Sequence, residues 1–398
     1  MTDLQKKLNS IWPDWIIQEV LGQGSYGAVY RIWREDKFGH RFTAALKVIT
    51  IPATKEDYRR MINEGMDKES TSDYFQSIVE DLVEEIVLMS KLKGNTNIVS
   101  YEDHAILKEE DDFQWQIFIR MELLTPLYEY MMKNEFSVND AIFLGIEMCN
   151  ALELCQNYNI IHRDIKPENI FVSDVGRFKL GDFGIARQLD KTSTGLSMKG
   201  TYSYIAPEVF KGEAYNATVD IYSLGMVLYS ILNNNRGPFM PPYPEKIRYT
   251  DRERSNMLRM SGKELPCPAN AEGRIGEIIL KACAYDPDAR SQSPVALRDD
   301  LESVYTKSDE EHQKHSSGED LQIVEVDIKG KKPDADEETT ITSSIPELDD
   351  VDDDTRFIFE LPEDPVSTAA INEIKNKSTE EIDVKPDNHT ENPGGHQP

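Results

Sequence analysis

The sequence predicts an α+β chain in which strands come first, helices follow, and an acidic tail ends it. Three observations predict this order. β-branched and aromatic runs separated by glycines crowd the first 124 residues, with one long helix among them. Apolar residues at helical spacing dominate from Ala141 onward. Past residue 305 apolar periodicity stops and acids take over.

Ile16 to Leu21 and Ala28 to Trp33 read as two strands joined by Gly22-Gln23-Gly24-Ser25-Tyr26-Gly27. A dinucleotide site would need a helix after the last glycine, but Ala28-Val29-Tyr30-Arg31-Ile32-Trp33 favours a strand. A P-loop would need Lys-Ser/Thr after it, and Ala28-Val29 stands there instead. What remains is a strand-loop-strand flap whose glycines let backbone approach phosphates. An ordinary glycine-rich hairpin is the alternative from these residues alone.

Ala44-Ala45-Leu46-Lys47-Val48-Ile49 reads as a strand with both faces covered, interrupted by a lysine that needs a partner. The next helix should run from about Ser72 to Leu92, capped by Ser70 or Ser72. Phe75, Ile78, Val79, Leu82, Ile86 and Met89 form its buried stripe. Glu85 lies about 60° from the stripe centre and Glu84 on the solvent side, so Glu85 is the expected partner of Lys47. Both could instead be solvated face charges.

Phe118 to Leu124 reads as a strand ending at Met121, with Glu122-Leu123-Leu124 as a linker. Ala141 to Tyr158 is an amphipathic helix, and Ile221 to Leu232 is apolar all round, as a buried central helix requires. Asp220 could cap that helix or anchor the loop at 162–169.

That loop carries the chemistry. His162-Arg163-Asp164-Ile165-Lys166-Pro167-Glu168-Asn169, followed by Asp182-Phe183-Gly184, sets two acids and an amide at the spacing that phosphoryl transfer uses. Asp164 suits the task of meeting an incoming hydroxyl; Asn169 and Asp182 suit a divalent cation on nucleotide phosphates. Any one of these residues alone would read as a turn cap.

The formal net charge is −28, of which residues 306–398 carry −17 through 26 acidic and 9 basic residues. Such a segment cannot bury enough apolar surface to offset ordering entropy, so 306–398 is expected to be a disordered acidic tail. The acidity argues against nucleic acid and anionic membranes as partners. Four cysteines without metal spacing, no leader and no spanning apolar run predict a soluble, cytoplasmic chain.

Taken together, Gly22 to Val29, Lys47, Glu85, His162 to Asn169, Asp182 to Gly184 and Ala206-Pro207-Glu208 resemble the eukaryotic-like (Hanks-type) serine/threonine protein kinases, and the wording around 161–169 and 182–187 is similar to their bacterial branch. The resemblance covers roughly residues 12–305. It implies a bilobal kinase domain with a small, mainly β N-lobe (about 12–121), a hinge (122–125) and a larger, mainly α C-lobe (about 126–305), after an N-terminal extension at 1–11.

The resemblance implies ATP between the lobes, with Mg, or Mn, as cofactor. Leu21, Gly22, Gly24, Gly27, Val29, Ala45, Met121, Glu122, Leu124 and Phe171 would surround the nucleotide, and Lys47, held by Glu85, would contact its α- and β-phosphates. Asn169 and Asp182 would hold the metal. Asp164 would be the catalytic acceptor of the hydroxyl proton, Lys166 would neutralise the γ-phosphate, and Thr201 would steady Asp164. Arg163 would pair with a phosphate on the activation loop, with Thr192 and Thr194 the favoured sites among Thr192, Ser193, Thr194 and Ser197. Glu208 and Arg290 would form a buried ion pair, Asp220 would support the catalytic loop, and Tyr101, Met89, His162 and Phe183 would stack in a packed column.

The implied partners are protein substrates, with a phosphothreonine-reading partner of the tail as a further expectation; the oligomeric state stays open. A binding scaffold of the same fold, or a kinase of a small molecule, are the alternatives. The segment Thr50 to Thr71 is longer than the resemblance implies and should be partly helical.

Overall fold

Within the expected N-terminal extension lies a helix that packs on the sheet of the first lobe. In this computed structural model, which describes residues 2–24, 27–108, 114–182 and 203–305, α1 (Asp3–Ile11) starts at Thr2, whose side chain accepts from Gln5 N. Gln5 is buried and fully used: its Nε2 donates to Trp15 O at 2.9 Å and its Oε1 accepts from Ile17 N at 2.7 Å. Leu8, 0% exposed, then packs with Trp15 onto Ile32, Ala44, Leu46, Val48 and Phe118. Residues 3–11 thus cover sheet surface that water would otherwise meet.

That sheet is antiparallel, in the order β1-β2-β3-β5-β4, from β1 (Ile16–Gly24), β2 (Gly27–Glu35), β3 (Arg41–Ile51), β4 (Tyr101–Lys108) and β5 (Trp115–Met121). Side chains alternate along β3. Ala44, Leu46 and Val48 face α1, while Ile49 and Ile51 join the main core on the other side. Both faces are covered, as the apolar run around Lys47 requires.

α2 (Lys55–Asn63), with a capping box between Thr54 and Asp57, makes the segment at 50–71 partly helical. Its Tyr58 stacks on Phe75 with centroids 6.1 Å apart. α3 (Lys68–Lys91) starts earlier than the sequence suggested: Asp67 is the cap, accepting from Ser70 N at 2.9 Å, and neither Ser70 nor Ser72 takes that role. The extra turn is stable because Thr71, 0% exposed, is buried and donates to Asp67 O at 2.8 Å. Phe75, Ile78, Val79, Leu82, Ile86 and Met89 line the buried face.

The larger lobe is mainly helical. A small sheet of β6 (Thr125–Pro126), β7 (Ile170–Val172) and β8 (Phe178–Leu180) lies beside α4 (Leu127–Lys133) and α5 (Val138–Asn157). α6 (Pro207–Lys211), α7 (Thr218–Leu232), α8 (Tyr249–Met260), α9 (Arg274–Ala282) and α10 (Pro294–Glu302) follow. α7 is buried at every position but Ile231, which its lack of a polar face predicts. The lobes are stitched where Val99 N donates to Leu180 O and Leu180 N to Asn97 O, both at 2.9 Å. Among the described residues no helix is long and apolar enough to cross a membrane.

Candidate functional site

The loop between α5 and β7 is held from beneath. Asp220, at the start of α7, accepts from His162 N at 2.7 Å and from Arg163 N at 2.8 Å. Arg163 sits at φ +66°, a left-handed conformation that costs about 1 kcal/mol or more, and these bonds offset it. Burial pushes the Asp220 carboxyl up, against the two amides that donate to it. His162 is 1% exposed and burial lowers its pKa, so it stays neutral. Its Nε2 lies 3.1 Å from Gly181 O, where a neutral ring can donate.

Asp164 follows with two donors on one oxygen. Asn169 Nδ2 donates to Asp164 Oδ2 and to Asp164 O, each at 2.8 Å, and Lys166 Nζ stands 2.8 Å from the same Oδ2. Asn169, 4% exposed, is fixed in a short 3-10 turn, Pro167–Asn169. With its nitrogen spent on Asp164, its Oδ1 remains as an oxygen donor. Asp182 supplies a second oxygen donor, at φ +54°. Burial pushes the Asp182 carboxyl up, but Lys47 hydrogen-bonded to it, together with the other positive charge nearby, Lys166, outweighs this and holds it below its ordinary value. An amide oxygen and an ionised carboxylate are ligands that suit Mg2+ or Mn2+, so these residues fit the cation that the sequence implies.

Lys47 corrects the sequence reading. Its Nζ donates to Asp182 Oδ1 at 2.6 Å, and it does not pair with Glu85. Glu85 does turn inward from α3, half-buried, while Glu84 is exposed. Its Oε2, however, is buried without a hydrogen-bond partner among the described residues. Burial pushes the Glu85 carboxyl up to about 7, with Lys47 opposing and Asp81 adding to the rise.

Lys47, Val29 and Ile119 stand opposite one another across β2, β3 and β5, and Ala45 stands opposite Met121. Directly opposed residues share a face, so Val29, Ala45, Lys47 and Met121 line one side of the cleft between the lobes. Leu124 packs on the core below and Phe171 lies in β7. A methyl group at Gly181 would come within 2.9 Å of the Phe171 ring and 2.8 Å of Val99, which leaves glycine as the residue that fits before Asp182. Glu122 is tied down three times: its Oε1 accepts from Lys179 Nζ at 2.8 Å and from Ser100 N at 2.5 Å, and its backbone N donates to Ser100 O at 3.1 Å. The lysine that fixes this hinge carries no signal in a three-residue strand.

In the flap, Leu21 is exposed, Gly22 stands opposite Val29 and Gly24 opposite Gly27. Gly22 has open space around it, consistent with a phosphate approach. Gly27 has a different cause: a Cβ there would lie 1.9 Å from Val48 O, so its own neighbouring strand demands glycine.

Glu208 and Arg290 form a bidentate pair at 2.6 and 2.8 Å, with side chains 5% and 0% exposed. It is a buried pair and not a surface one. Sequence reasoning missed Arg259 of α8, 2% exposed, which donates to Ile205 O at 2.7 Å. Nothing in the pattern of α8 distinguishes it from a solvent-facing arginine. Thr192, Ser193, Thr194, Ser197, Thr201 and Phe183, and the tail at 306–398, lie outside the described residues.

A family model described as the protein kinase domain matches residues 15–301. Among curated proteins, the chain is 36% identical over 169 residues to the serine/threonine-protein kinase PknB of Mycolicibacterium smegmatis, covering 42% of this chain and 26% of that protein. It is 30% identical over 234 residues to a probable serine/threonine-protein kinase of Clostridium perfringens, covering 58% and 32%. With the serine/threonine-protein kinase PEPKR2 of Arabidopsis thaliana it shares 29% over 228 residues, covering 56% and 41%. The matched part thus spans between 26% and 41% of these relatives' own length.

Proposed function

Because this chain belongs to the protein kinase family, we propose that it is an ATP- and magnesium-dependent serine/threonine protein kinase. The observation that carries this reading is the loading of Asp164. Asn169 and Lys166 both act on Oδ2, so Oδ1 is the oxygen left to meet an acceptor hydroxyl and take its proton. Asn169 Oδ1 and the Asp182 carboxylate are the groups to hold the metal, which, when bound, neutralises charge on the nucleotide's phosphates. Lys47 stands at the same carboxylate, placed to bind phosphate oxygens once it lets go. Lys166 brings a second positive charge beside Asp164. Position and charge make up nearly the whole of this catalysis, because the transferring group needs little covalent help.

Serine or threonine as acceptor rests on Lys166 and Thr201, through the resemblance of the catalytic and activation loops, and on the printed names of the relatives. Activation by autophosphorylation at Thr192 or Thr194 is the regulatory part of the reading. The Arg163 guanidinium, 5.5 Å from the Tyr215 ring centroid, would pair with that phosphate. Glu85 would then take Lys47 from Asp182. The threonines of the tail would be further targets, read by a phosphothreonine-binding partner.

The test is transfer of labelled phosphate from ATP, with Mg2+ or Mn2+, to a generic protein substrate, with Asp164→Asn as control. Transfer by the parent chain and its loss in the variant are expected. Equal signals from the two would leave a binding scaffold as the better reading. Replacing Thr192, Ser193, Thr194 and Ser197 together by Ala should lower activity; full activity in that variant would remove the activation proposal.

A further inference from the structure

Two guanidiniums alternate with three aromatic rings on the α1 face of the first sheet. The Arg120 guanidinium, from β5, lies 4.8 Å from the Trp12 ring centroid and 5.0 Å from that of Trp15. The Arg34 guanidinium, from β2, lies 5.6 Å from the Trp15 centroid and 4.6 Å from that of Phe42. The ladder so formed, Trp12-Arg120-Trp15-Arg34-Phe42, borders a cavity of about 390 Å3. Arg34 stands opposite Phe42, and Arg120 opposite Leu46, which packs towards α1. The cavity therefore lies on the side of the sheet away from Lys47 and the cleft.

The two cations are not equally occupied. Arg120 Nε donates to Glu102 Oε2 at 2.9 Å, and Trp12 Nε1 donates to Asp103 Oδ2 at 2.9 Å. The Arg34 guanidinium has no hydrogen bond or ion pair among the described residues, and neither has the indole N–H of Trp15, a residue only 8% exposed. Rings cover the two faces of a guanidinium and leave the N–H groups, which lie in its plane, in want of acceptors. The cavity thus joins aromatic walls to an uncompensated cation and an unused N–H, a chemistry that fits carboxylates beside an apolar side chain.

One stretch of this chain has that chemistry. Residues 306–398 contain two aromatic residues, Phe357 and Phe359, and both stand in Asp352-Asp353-Asp354-Thr355-Arg356-Phe357-Ile358-Phe359-Glu360. From Glu347 to Asp364 there are nine acids and one base. Phe357 lies 52 residues past Tyr305. A polar chain of that length spans roughly 40 Å on average, against a radius of gyration of about 19 Å for a domain of some 300 residues, so it is long enough to reach either face of the sheet.

We propose that this cavity is the docking site of the chain's own acidic tail: the apolar triplet Phe357-Ile358-Phe359 enters between the aromatic walls, and the carboxylates of Asp352, Asp353 and Asp354 bind the Arg34 guanidinium. Asp14, an exposed acid of the lining, is left for Arg356, the one base of the stretch. The inference goes beyond the kinase reading and does not depend on it, because the cavity faces away from the cleft.

The experiment uses the full chain with the photocrosslinking substitution Phe357→p-benzoyl-Phe, irradiated at low protein concentration, with the adducts located by mass spectrometry. Adducts at Trp12 to Trp15 or at Phe42 and Thr43 are expected, in chains of single mass. Their yield should fall roughly tenfold with Arg34→Gln, the loss of a charge-assisted contact, and should fall also in about 1 M NaCl. Replacing Asp352, Asp353 and Asp354 together by Asn should lower it as Arg34→Gln does. Adducts scattered over the domain, no adduct at these residues, or a yield that Arg34→Gln leaves unchanged would overturn the proposal. The same adduct found only in chains of doubled mass would put the tail of a second copy there and overturn it too. If Arg34→Gln gives no folded protein, the triple Asp→Asn variant decides, since it alters nothing in the folded part: an unchanged yield there overturns the proposal.

Discussion

Lys47 Nζ is bonded to Asp182 Oδ1 at 2.6 Å, across the cleft between the two lobes. The pair joins the strand that carries a phosphate-binding lysine to the loop that carries a metal ligand. It leaves Glu85 as a half-buried carboxyl without a partner for Oε2 among the described residues.

That leftover carboxyl makes stability depend on pH. The folded-state pKa of Glu85 is raised from 4.5 to about 7, so between these values the folded chain binds the proton more tightly than the unfolded one. The stabilising contribution is fully present below pH 4.5 and is lost as pH rises through about 7. At pH 8 Glu85→Gln should therefore be more stable than the parent by up to roughly 3 kcal/mol, with little difference near pH 4.5. Urea midpoints of the nucleotide-free protein at the two pH values measure this. A Gln variant no more stable at pH 8 would rule it out. The same variant should lower kcat, because a neutral amide cannot hold the Lys47 ammonium during transfer.

The Glu208–Arg290 pair should be far more costly to halve than a surface pair. Arg290→Met leaves the buried Glu208 carboxylate without its partner and should cost about 3–5 kcal/mol in chemical denaturation. A loss below about 1 kcal/mol would mean that water reaches the pair.

α1 should behave as part of the first lobe. Leu8→Ala empties a site that is 0% exposed and should cost about 2–5 kcal/mol, measured by denaturant midpoint. An unchanged midpoint would mean that α1 adds nothing to the stability of the first lobe.

Lys166→Ala should reduce kcat more than it raises KM for ATP, because its ammonium sits on Asp164 Oδ2, beside the group that takes the acceptor's proton. Steady-state kinetics separate the two parameters. A rise in KM for ATP with kcat unchanged would contradict this placement.

The legible parts of the fold were those set by local chemistry. The stripe of α3 and the apolar helix α7 follow from periodicity, and Lys166 and Asn169, which lie within the motif, stand at Asp164. The illegible parts depend on three-dimensional competition. Whether Lys47 takes Glu85 or Asp182 turns on which carboxylate the fold brings within reach of its ammonium, which no spacing encodes. The same holds for Gly27, whose cause is a neighbouring strand, for Arg259, which is buried only because α7 and α9 close over it, and for α1, whose Leu8 looks like an isolated apolar residue until Trp15 folds back beside it.

The central claim is that Asp164 takes the proton of a serine or threonine hydroxyl. Mass spectrometry of an acceptor protein incubated with Mg-ATP and either the full chain or its Asp164→Asn variant tests it most directly. The account predicts phosphate on serine and threonine, none on tyrosine, and its disappearance with the variant, by roughly a factor of a hundred or more. Phosphate on the acceptor at the same level with both proteins, or with neither, would contradict it.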